Sequence, residues 1–558
     1  MSYAHRVVLV LVLVCPAVVA SPAAATPPTA AVPTATPSIE TVSNATTAAV
    51  SNTTTAAIPD ATTDGATVHV VAFLPNPTTP DDRGEFVVVS APEGTNVTLD
   101  DGEGRVSFVA PGGDVAVTSN PAYTSNLTDT PVVSPGLELA NGRETVTLSV
   151  NGSVRDRFSY TRAEEGAVAT RTEDGWSWWP RALPKRPVTT HGSANATVFT
   201  LPDSPEIPKS TLREADTRIL LAGYVVTSPA VADELVAAQE RGVHVEVLVD
   251  DAPVGGFSRQ SAQVLDRLAS AGVTVRVVGD PHSFHHPKYA VVDNRALVMT
   301  ENWKPSGTGG NKSRGWGVIV HSASVAADLA RTFEDDSSLP QTRPWSRFER
   351  RTSFVDADSA TGSYPSRSEP TRVAVDSVAV LRAPDNAEGA VVRRLDSTDD
   401  RIDVIQPTVE PESPFVFALK RAAERGVRVR LLLGSVWYVE DENRRLADEL
   451  NAWAERTGNP LSVRLARPAG RYGAIHAKGV VADDTVLVGS LNWNRHSARE
   501  NREVVVALES AGAAAYYRRV FDADWRASNR GPRPELVALA VCAVLVGVVA
   551  LRKIEFES

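Results

Sequence analysis

Cysteine is almost absent from this chain of 558 residues, which contains only Cys15 and Cys542. The first lies in an apolar stretch near the start of the chain, and the second lies in an apolar stretch near its end. The residues between these stretches therefore contain no disulfide, even if the protein is exported to an oxidising exterior.

Lysine is also scarce, since 48 arginines stand against 8 lysines and the formal net charge is −11. An acidic, lysine-poor composition resembles that of salt-adapted proteins. It argues against a strongly basic nucleic-acid footprint, because such binding depends on contacts between cations and phosphates. The length of the chain allows three or four domains.

Long apolar runs are confined to the two ends of the chain. Residues 1–25 combine one basic residue, an apolar run and small residues, which predicts a signal peptide; the alternative is an N-terminal membrane anchor. Residues 536–551 are sixteen apolar residues followed by Arg552 and Lys553, which predicts a transmembrane anchor with the C-terminus inside; the alternative is a buried core helix. The sequence thus predicts an exported, single-pass cell-surface protein with its catalytic domain outside and a short cytoplasmic C-terminus.

The composition changes twice after the predicted signal peptide. Residues 26–65 are rich in Thr, Ala and Pro, which predicts a disordered stalk. Residues 66–180 contain short apolar strands separated by Pro, Gly and Asp turns, which predicts an all-β sandwich. Glycosylation sequons crowd into the first 200 residues, as expected for an exported segment, at Asn44, Asn52, Asn96, Asn126, Asn151 and Asn195, with one more at Asn311.

The predicted sandwich has a recognisable pattern of its own. Residues 71–77 (VAFLPNP) are followed by residues 84–87 (GEFV), and residues 171–179 (RTEDGWSWW) close the segment. These stretches resemble the lamin-tail domain, an immunoglobulin-like sandwich. The resemblance implies either a spacer or an accessory binding module, and it favours the binding module slightly.

Two stretches in the remainder of the chain repeat one pattern, His-x-Lys-x4-Asp followed by Ser/Thr-x-Asn-Trp. The first contains His286, Lys288, Asp293, Thr300 and Asn302, and the second contains His476, Lys478, Asp483, Ser490 and Asn492. Residues two apart in a strand share a face, so each His and Lys point the same way. An imidazole beside an ammonium group suits a phosphate: the Lys neutralises charge, the His attacks phosphorus or transfers a proton, and the Asn amides donate to the remaining oxygens.

The segments around these stretches, 200–340 and 373–527, alternate strands with helices, which implies parallel pairing. A helix is predicted from Ala230 to Arg241 and another from Ser413 to Arg425, each closed by a glycine. The two segments therefore look like an internal duplication. Residues 341–372 lack periodicity and are interpreted as a connector, part of which could lie over the active-site mouth.

The paired stretches resemble the HKD motifs of the phospholipase D superfamily. The resemblance implies two similar α/β halves that bring both motifs into one active site. It also implies cleavage of a phosphodiester through a phosphohistidine intermediate, without a metal or another cofactor. The predicted fold class is multidomain: an all-β immunoglobulin-like sandwich followed by a duplicated α/β phospholipase-D-type fold, with a C-terminal transmembrane helix.

The family likeness suggests that Glu503 orients one catalytic histidine. Alignment of residues 504–506 with residues 318–320 places Gly317 at the equivalent position, so the first half shows no clear carboxylate. A nearby carboxylate favours imidazolium, so His476, if paired with Glu503, should be the general acid and His286 the nucleophile. Asp293 and Asp483 are interpreted as braces of the strand turns. His282 and His285 are expected in a solvated loop at the pocket rim rather than as metal ligands.

The substrate is the least determined feature. The spacing from Asn492 to Glu503 is similar to that of cardiolipin-synthase-like members, although Asn494 and His496 stand where those usually have Asp and Arg. The predicted membrane anchor favours a phospholipid. The alternatives are an extracellular nuclease acting on DNA or RNA and a catalytically inactive adhesion or scaffold protein. No obligate protein partner is evident.

Overall fold

The computed structural model describes residues 68–529, except 164, 173–174, 182–185, 280 and 358. The predicted signal peptide, stalk and transmembrane segment, at 1–25, 26–65 and 536–551, lie outside the described residues. All described residues belong to one compact unit.

The predicted C-terminal transmembrane helix requires a correction. Within the described residues, no helix is both long and apolar enough to cross a membrane. The longest of them, Glu440–Thr457, has 18 residues but carries charged side chains along its length, because only one of its faces packs on the core. The transmembrane part of the fold class, the membrane as a partner through that helix, and the single-pass cell-surface location are therefore withdrawn.

Residues 69–180 form two β-sheets that pack face to face. The strands are β1 (His69–Leu74), β2 (Phe86–Ala91), β3 (Asn96–Asp100), β4 (Arg105–Val109), β5 (Gly113–Val117), β6 (Val132–Val133), β7 (Glu144–Val150), β8 (Ser153–Tyr160), β9 (Ala167–Thr172) and β10 (Gly175–Pro180). A 3₁₀ turn, Pro80–Asp82, and a short helix, α1 (Pro121–Thr124), interrupt them. The sheet orders are β10-β9-β1-β2-β5-β6 and β4-β3-β7-β8. Alternate residues of both sheets fill the core, where Phe73 stacks on Phe158.

The first α/β half has a sheet ordered β19-β15-β14-β13-β16-β17-β18-β12-β20. Its strands are β12 (Ala194–Leu201), β13 (Arg218–Gly223), β14 (His244–Asp250), β15 (Thr274–Val278), β16 (Lys288–Val292), β17 (Arg295–Met299), β18 (Ser313–His321), β19 (Arg343–Pro344) and β20 (Thr371–Val375). Its helices are α2 (Glu206–Arg213), α3 (Pro229–Glu240), α4 (Arg259–Ser270), α5 (Ala323–Ser337) and α6 (Trp345–Glu349).

The second half has a sheet ordered β11-β21-β28-β27-β26-β22-β23-β24. Its strands are β11 (Thr189–His191), β21 (Ser377–Ala383), β22 (Arg401–Gln406), β23 (Arg428–Leu433), β24 (Leu461–Leu465), β26 (Gly479–Ala482), β27 (Thr485–Gly489) and β28 (Glu503–Glu509), while β25 (Ala474–Ile475) pairs with β18 of the first half. Its helices are α7 (Ala387–Asp396), α8 (Pro414–Glu424), α9 (Glu440–Thr457), α10 (Arg495–Arg499) and α11 (Ala511–Ala527).

Six consecutive strands have the same order in both halves: β15-β14-β13-β16-β17-β18 corresponds to β24-β23-β22-β26-β27-β28. Helices α3 and α8 start equivalently, because the Ser228 and Ser413 side chains each accept a hydrogen bond from a backbone amide of the first turn. Both end before a glycine in the left-handed region, Gly242 at φ 88° and Gly426 at φ 91°, which allows the chain to turn into the next strand.

The two halves share a buried layer that contains α5, α11 and the inner faces of both sheets. Trp316 of β18 stacks on Tyr517 of α11, with ring centroids 4.4 Å apart. A Cβ on Gly479 would lie 2.2 Å from the Trp316 ring, so only glycine allows this approach. This packing brings the start of β26 against the first half.

Candidate active site

The two His-Lys pairs lie at the starts of equivalent strands. Lys288 begins β16 and lies opposite Gly223, at the carboxyl end of β13. Lys478 immediately precedes β26, whose first residue lies opposite Ile405 of β22. Strands β16 and β26 run antiparallel to β13 and β22. Both His-Lys pairs therefore lie at the carboxyl ends of the parallel strands.

Each histidine is held by the backbone of the other half. The His286 amide donates to the Arg502 carbonyl at 3.0 Å, and the His476 amide donates to the Arg314 carbonyl at 3.0 Å. The two stretches therefore meet at one place. Burial lowers the pKa of His286 well below its usual value, and the charges of Lys288 and Lys478 lower it further.

Glu503 pairs with His286 and not with His476. Its carboxylate oxygens lie 2.8 and 2.9 Å from His286 Nδ1, and the Glu503 side chain is fully buried. Asn501 Nδ2 also donates to Glu503 Oε1, at 3.1 Å. Burial raises the pKa of Glu503 to about 7, against the opposing effect of Lys288. The pairing of His476 with Glu503, on which the sequence-based assignment of roles depended, is therefore wrong.

The carboxylate beside His476 belongs to Glu301, which the sequence analysis missed. Glu301 Oε2 lies 3.2 Å from His476 Nδ1, and the Glu301 side chain is 2% exposed. Burial lowers the pKa of His476, as does Lys478, while Glu301 opposes this decrease. Each histidine thus has one buried carboxylate from the opposite half of the fold.

The position equivalent to Glu503 is Gly315 and not Gly317. The amide of Thr300 donates to the Trp316 carbonyl, and the amide of Ser490 donates to the Val504 carbonyl. Trp316 and Val504 are therefore equivalent, and so are the residues that precede them, Gly315 and Glu503. A Cβ on Gly315 would lie 2.2 Å from Glu301 Cγ. The Glu301 side chain therefore occupies the space that a side chain at position 315 would take, and the missing carboxylate is supplied from the end of the neighbouring strand.

Both lysines turn back to their own histidines. Lys288 Nζ donates to the His286 carbonyl at 2.6 Å, and Lys478 Nζ donates to the His476 carbonyl at 2.8 Å. Burial lowers the pKa of Lys478 to about 8 and that of Lys288 well below its usual value. Two buried ammonium groups beside two imidazoles make a site that is suited to an anion.

Thr300 and Ser490 are completely buried, and their hydroxyl groups accept hydrogen bonds from the neighbouring strands. Thr300 Oγ1 accepts from the Trp316 amide at 3.0 Å, and Ser490 Oγ accepts from the Val504 amide at 3.0 Å. Asn302 and Asn492 are half-buried. Within the described residues, Asn302 Oδ1 is buried without a hydrogen-bond partner.

His282 and His285 do not lie in a solvated loop, contrary to expectation. They are 4% and 1% exposed, and His285 Nε2 lies 3.3 Å from Asp336 Oδ2. The ring of Tyr224 packs against His286, with ring centroids 4.6 Å apart.

Asp293 and Asp483 occupy the strand turns in the left-handed region, at φ 52° and 46°. Asp293 accepts hydrogen bonds from the amides of Asp216, Thr217 and Arg218 and from the Thr217 hydroxyl. Burial alone would raise the pKa of Asp293, but these hydrogen bonds outweigh it and lower the pKa to about 2. Asp483 accepts equivalent amide hydrogen bonds from residues 399–401.

We expect Asp293→Ala to lower stability by about 1–3 kcal/mol, because three backbone donors lose a charged acceptor. The stabilisation by Asp293 should be present above about pH 4 and should be lost as the pH falls towards 2. Thermal unfolding of the variant and of the exposed neighbour control Asn294→Ala measures this. A large fall in turnover of the folded protein without a loss of stability would contradict a structural role.

Comparison with known proteins matches both halves to one family. Residues 209–337 and 391–525 match the family described as cardiolipin synthase, PLD-like domain. Curated relatives from three strains of Pseudomonas aeruginosa, each named cardiolipin synthase A, are 30% identical over 140 residues. The match covers 25% of this chain and 27% of each relative, so the chain spans about a quarter of the length of these relatives.

Two solved structures are also similar to parts of the chain. The phosphatidylserine synthase of Haemophilus influenzae Rd KW20 has 14% identity and a TM-score of 0.45, over 66% of this chain and 95% of its own. The phospholipase D family member Nuc of Salmonella typhimurium has 23% identity and a TM-score of 0.24, over 28% of this chain and 99% of its own. The lamin-tail resemblance of residues 66–180 stays a prediction.

Proposed function

We propose that this chain, whose two α/β halves match the family described as cardiolipin synthase, PLD-like domain, cleaves a phosphodiester through a phosphohistidine intermediate. A phospholipid is the favoured substrate, because the curated relatives that the chain matches are named cardiolipin synthase A. One observation carries the proposal. Two imidazoles, each beside a buried carboxylate, meet two buried lysines where the halves join. This arrangement supplies a nucleophile, an acid and cations for one phosphate.

His286 is the nucleophile. Its Nδ1–H donates to the Glu503 carboxylate, which leaves the lone pair on Nε2 free to attack phosphorus. Burial disfavours the protonated imidazole, so His286 is neutral before attack. Glu503 then stabilises the positive charge that develops on the ring. This is the role assigned from the sequence, but the physical reason is different.

His476 is the general acid. Its side chain is 31% exposed, against 10% for His286, and Glu301 opposes the decrease in the pKa of His476 that burial and Lys478 cause. As the bond from His286 Nε2 to phosphorus forms, the bond to the leaving oxygen breaks, and His476 gives that oxygen its proton. The neutral His476 then takes a proton from an incoming hydroxyl, whose oxygen attacks phosphorus and releases His286.

The incoming hydroxyl decides between two outcomes. Water gives hydrolysis, and an alcohol gives transfer of the phosphatidyl group. Lys288 and Lys478 neutralise the phosphate oxygens, and Asn302 and Asn492 donate to those that remain. His476 gives one proton in the first step and takes one back in the second, so the enzyme returns to its starting state.

The proposal is tested with the full chain in high salt and chelator. Phosphatidylcholine vesicles, single-stranded DNA and double-stranded DNA are offered in parallel. We expect head-group release or exchange that is lost in His286→Ala and His476→Ala. The control His244→Ala should keep it, because His244 is exposed and begins β14 at the opposite edge of the sheet. DNA cleavage that both variants abolish would establish the nuclease instead, and silence on every substrate would favour an inactive scaffold.

A further inference from the structure

Exposed large apolar side chains are concentrated at one edge of the α/β halves. Seven are exposed among the described residues. Four of these lie in the two halves, at Val254, Phe417, Trp437 and Tyr438, and a fifth, Val355, lies in the connector. The other two, Val109 and Val154, lie on the β-sandwich. We call the group of five the apolar rim.

The apolar rim lies at the edge that holds the catalytic histidines. Val254 is in the loop after β14, and its amide donates to the hydroxyl of Tyr224, whose ring packs on His286. Trp437 and Tyr438 are in the equivalent loop after β23. Strand β23 is paired with β22, and β22 with the strand that follows Lys478. The rim therefore has a contribution from each half.

Phe417 and Val355 extend the rim at the same edge. Phe417 lies in the first turn of α8, which starts after the carboxyl end of β22. Val355 is in the connector, and its amide and carbonyl bond to the backbone of Phe257 and Arg259 after β14. The connector is therefore attached to the rim and not to the opposite edge.

Trp437 and Tyr438 are the most informative members of the rim. They are 86% and 67% exposed, and their rings contact each other edge to face with centroids 5.6 Å apart. Large exposed apolar groups mark contact surfaces. Trp and Tyr in particular favour the boundary between lipid and water, because each combines an apolar ring with a polar group.

The charges around the rim disfavour a polyanion. The backbone amide of Arg495 donates to the Glu410 carboxylate, the Arg495 guanidinium donates to the Glu412 carbonyl, and Arg259 pairs with Asp356. The helix after the aromatic pair begins with three acidic residues, at 440–442. Nucleic acids bind through unpaired cations along their backbone, and this rim presents carboxylates. A lipid surface without net charge therefore suits the apolar rim better than a nucleic acid does.

We propose that the apolar rim docks onto a zwitterionic lipid bilayer and holds the mouth of the site against the head groups. The inference rests on the proposed function, since a lipid substrate is what gives such docking a use. Because apolar contact carries the binding, it persists in high salt, whereas attraction between charges would be screened.

The test measures sedimentation of the full chain with phosphatidylcholine vesicles in about 0.1 M and in about 2 M salt, because attraction between exposed charges is largely screened at the higher concentration. The variants Trp437→Ser and Tyr438→Ser are combined and placed in a His286→Ala background, so that no lipid is consumed. We expect the vesicle affinity to fall at least about tenfold. The control Val109→Ser with Val154→Ser removes two exposed apolar side chains from the β-sandwich and should bind normally.

Activity separates this proposal from the proposed function. In the active chain, the ratio of turnover on vesicles to turnover on monomeric short-chain phosphatidylcholine should fall with the rim variant. Rim-dependent binding without any lipid cleavage would support the docking surface while the proposed function fails. Cleavage of lipid with binding unchanged by the rim variant would overturn the docking surface alone. A rim variant that loses binding of single-stranded DNA instead of vesicles would also overturn it.

Discussion

With a 4-nitrophenyl phosphodiester, the His476→Ala variant is expected to release one equivalent of nitrophenolate in a burst and then to turn over slowly. Nitrophenolate is a good leaving group and needs no acid, so attack by His286 proceeds without His476. The covalent intermediate then persists, because no base activates the incoming water. On an ordinary phospholipid, whose leaving alkoxide needs a proton, the same variant should lose about 10²–10⁴-fold in turnover.

The His286→Ala variant should show no burst with either substrate, because no nucleophile remains. Its turnover should fall by about 10⁴-fold or more, in the range measured for loss of a nucleophile in other enzymes. Mapping of acid-labile phosphate by mass spectrometry locates the intermediate. A burst in His286→Ala with phosphate on His476 would reverse the two roles, and Glu503 would then orient the acid.

Alanine at Gly315 is expected to be as damaging as loss of a catalytic group. Its Cβ would lie 2.2 Å from Cγ of the buried Glu301 side chain, and neither can move without displacing the carboxylate from His476. We expect turnover to fall by about 10²-fold or more, since misplacement of a catalytic group by about 1 Å has an effect of this size. The thermal midpoint should also fall, because overpacking costs about 1–3 kcal/mol.

The clash at position 315 has a specific remedy. Adding Glu301→Gly to Gly315→Ala should restore the thermal midpoint, because the clash is removed. Turnover should stay low, because His476 then lacks a carboxylate. Glu301→Gly combined with Gly315→Glu returns a carboxylate to the position that Glu503 has in the other half, and we expect part of the activity to return.

Two control substitutions separate this exchange from general damage. Gly317→Ala also clashes, with the Phe199 ring at 2.3 Å, but Glu301→Gly should not relieve it. Gly192→Ala meets nothing within 4 Å and should be silent. If Glu301→Gly leaves turnover and its pH profile unchanged, Glu301 does not position His476.

Much of the local structure could be predicted from sequence. Short apolar runs indicated the strands around the two motifs, and glycines marked the ends of helices α3 and α8. The helix predicted from Ala230 to Arg241 is confirmed within one residue, as Pro229–Glu240. These features depend on a few neighbouring residues, so they can be predicted from a single sequence.

Pairing across the halves could not be predicted in this way. Linear alignment placed Gly317 opposite Glu503, because it matched the apolar runs that begin at Val318 and at Val504, and these two residues are not equivalent in strand register. Only the hydrogen bonds between strands show that Gly315 is the equivalent residue. The one signal for Glu301 was that a charged residue follows Thr300 where the apolar Leu491 follows Ser490.

The two His-Lys pairs and their duplicated α/β framework follow from the amino-acid sequence, because spacing along a strand fixes which side chains share a face. The packing of the fold was needed to show that Glu503 contacts His286 and Glu301 contacts His476, that His282 and His285 are buried, and that the exposed aromatic pair lies at the edge of the site. These relations join residues up to 217 positions apart. Their distances follow from how two sheets pack, and no local pattern encodes that packing.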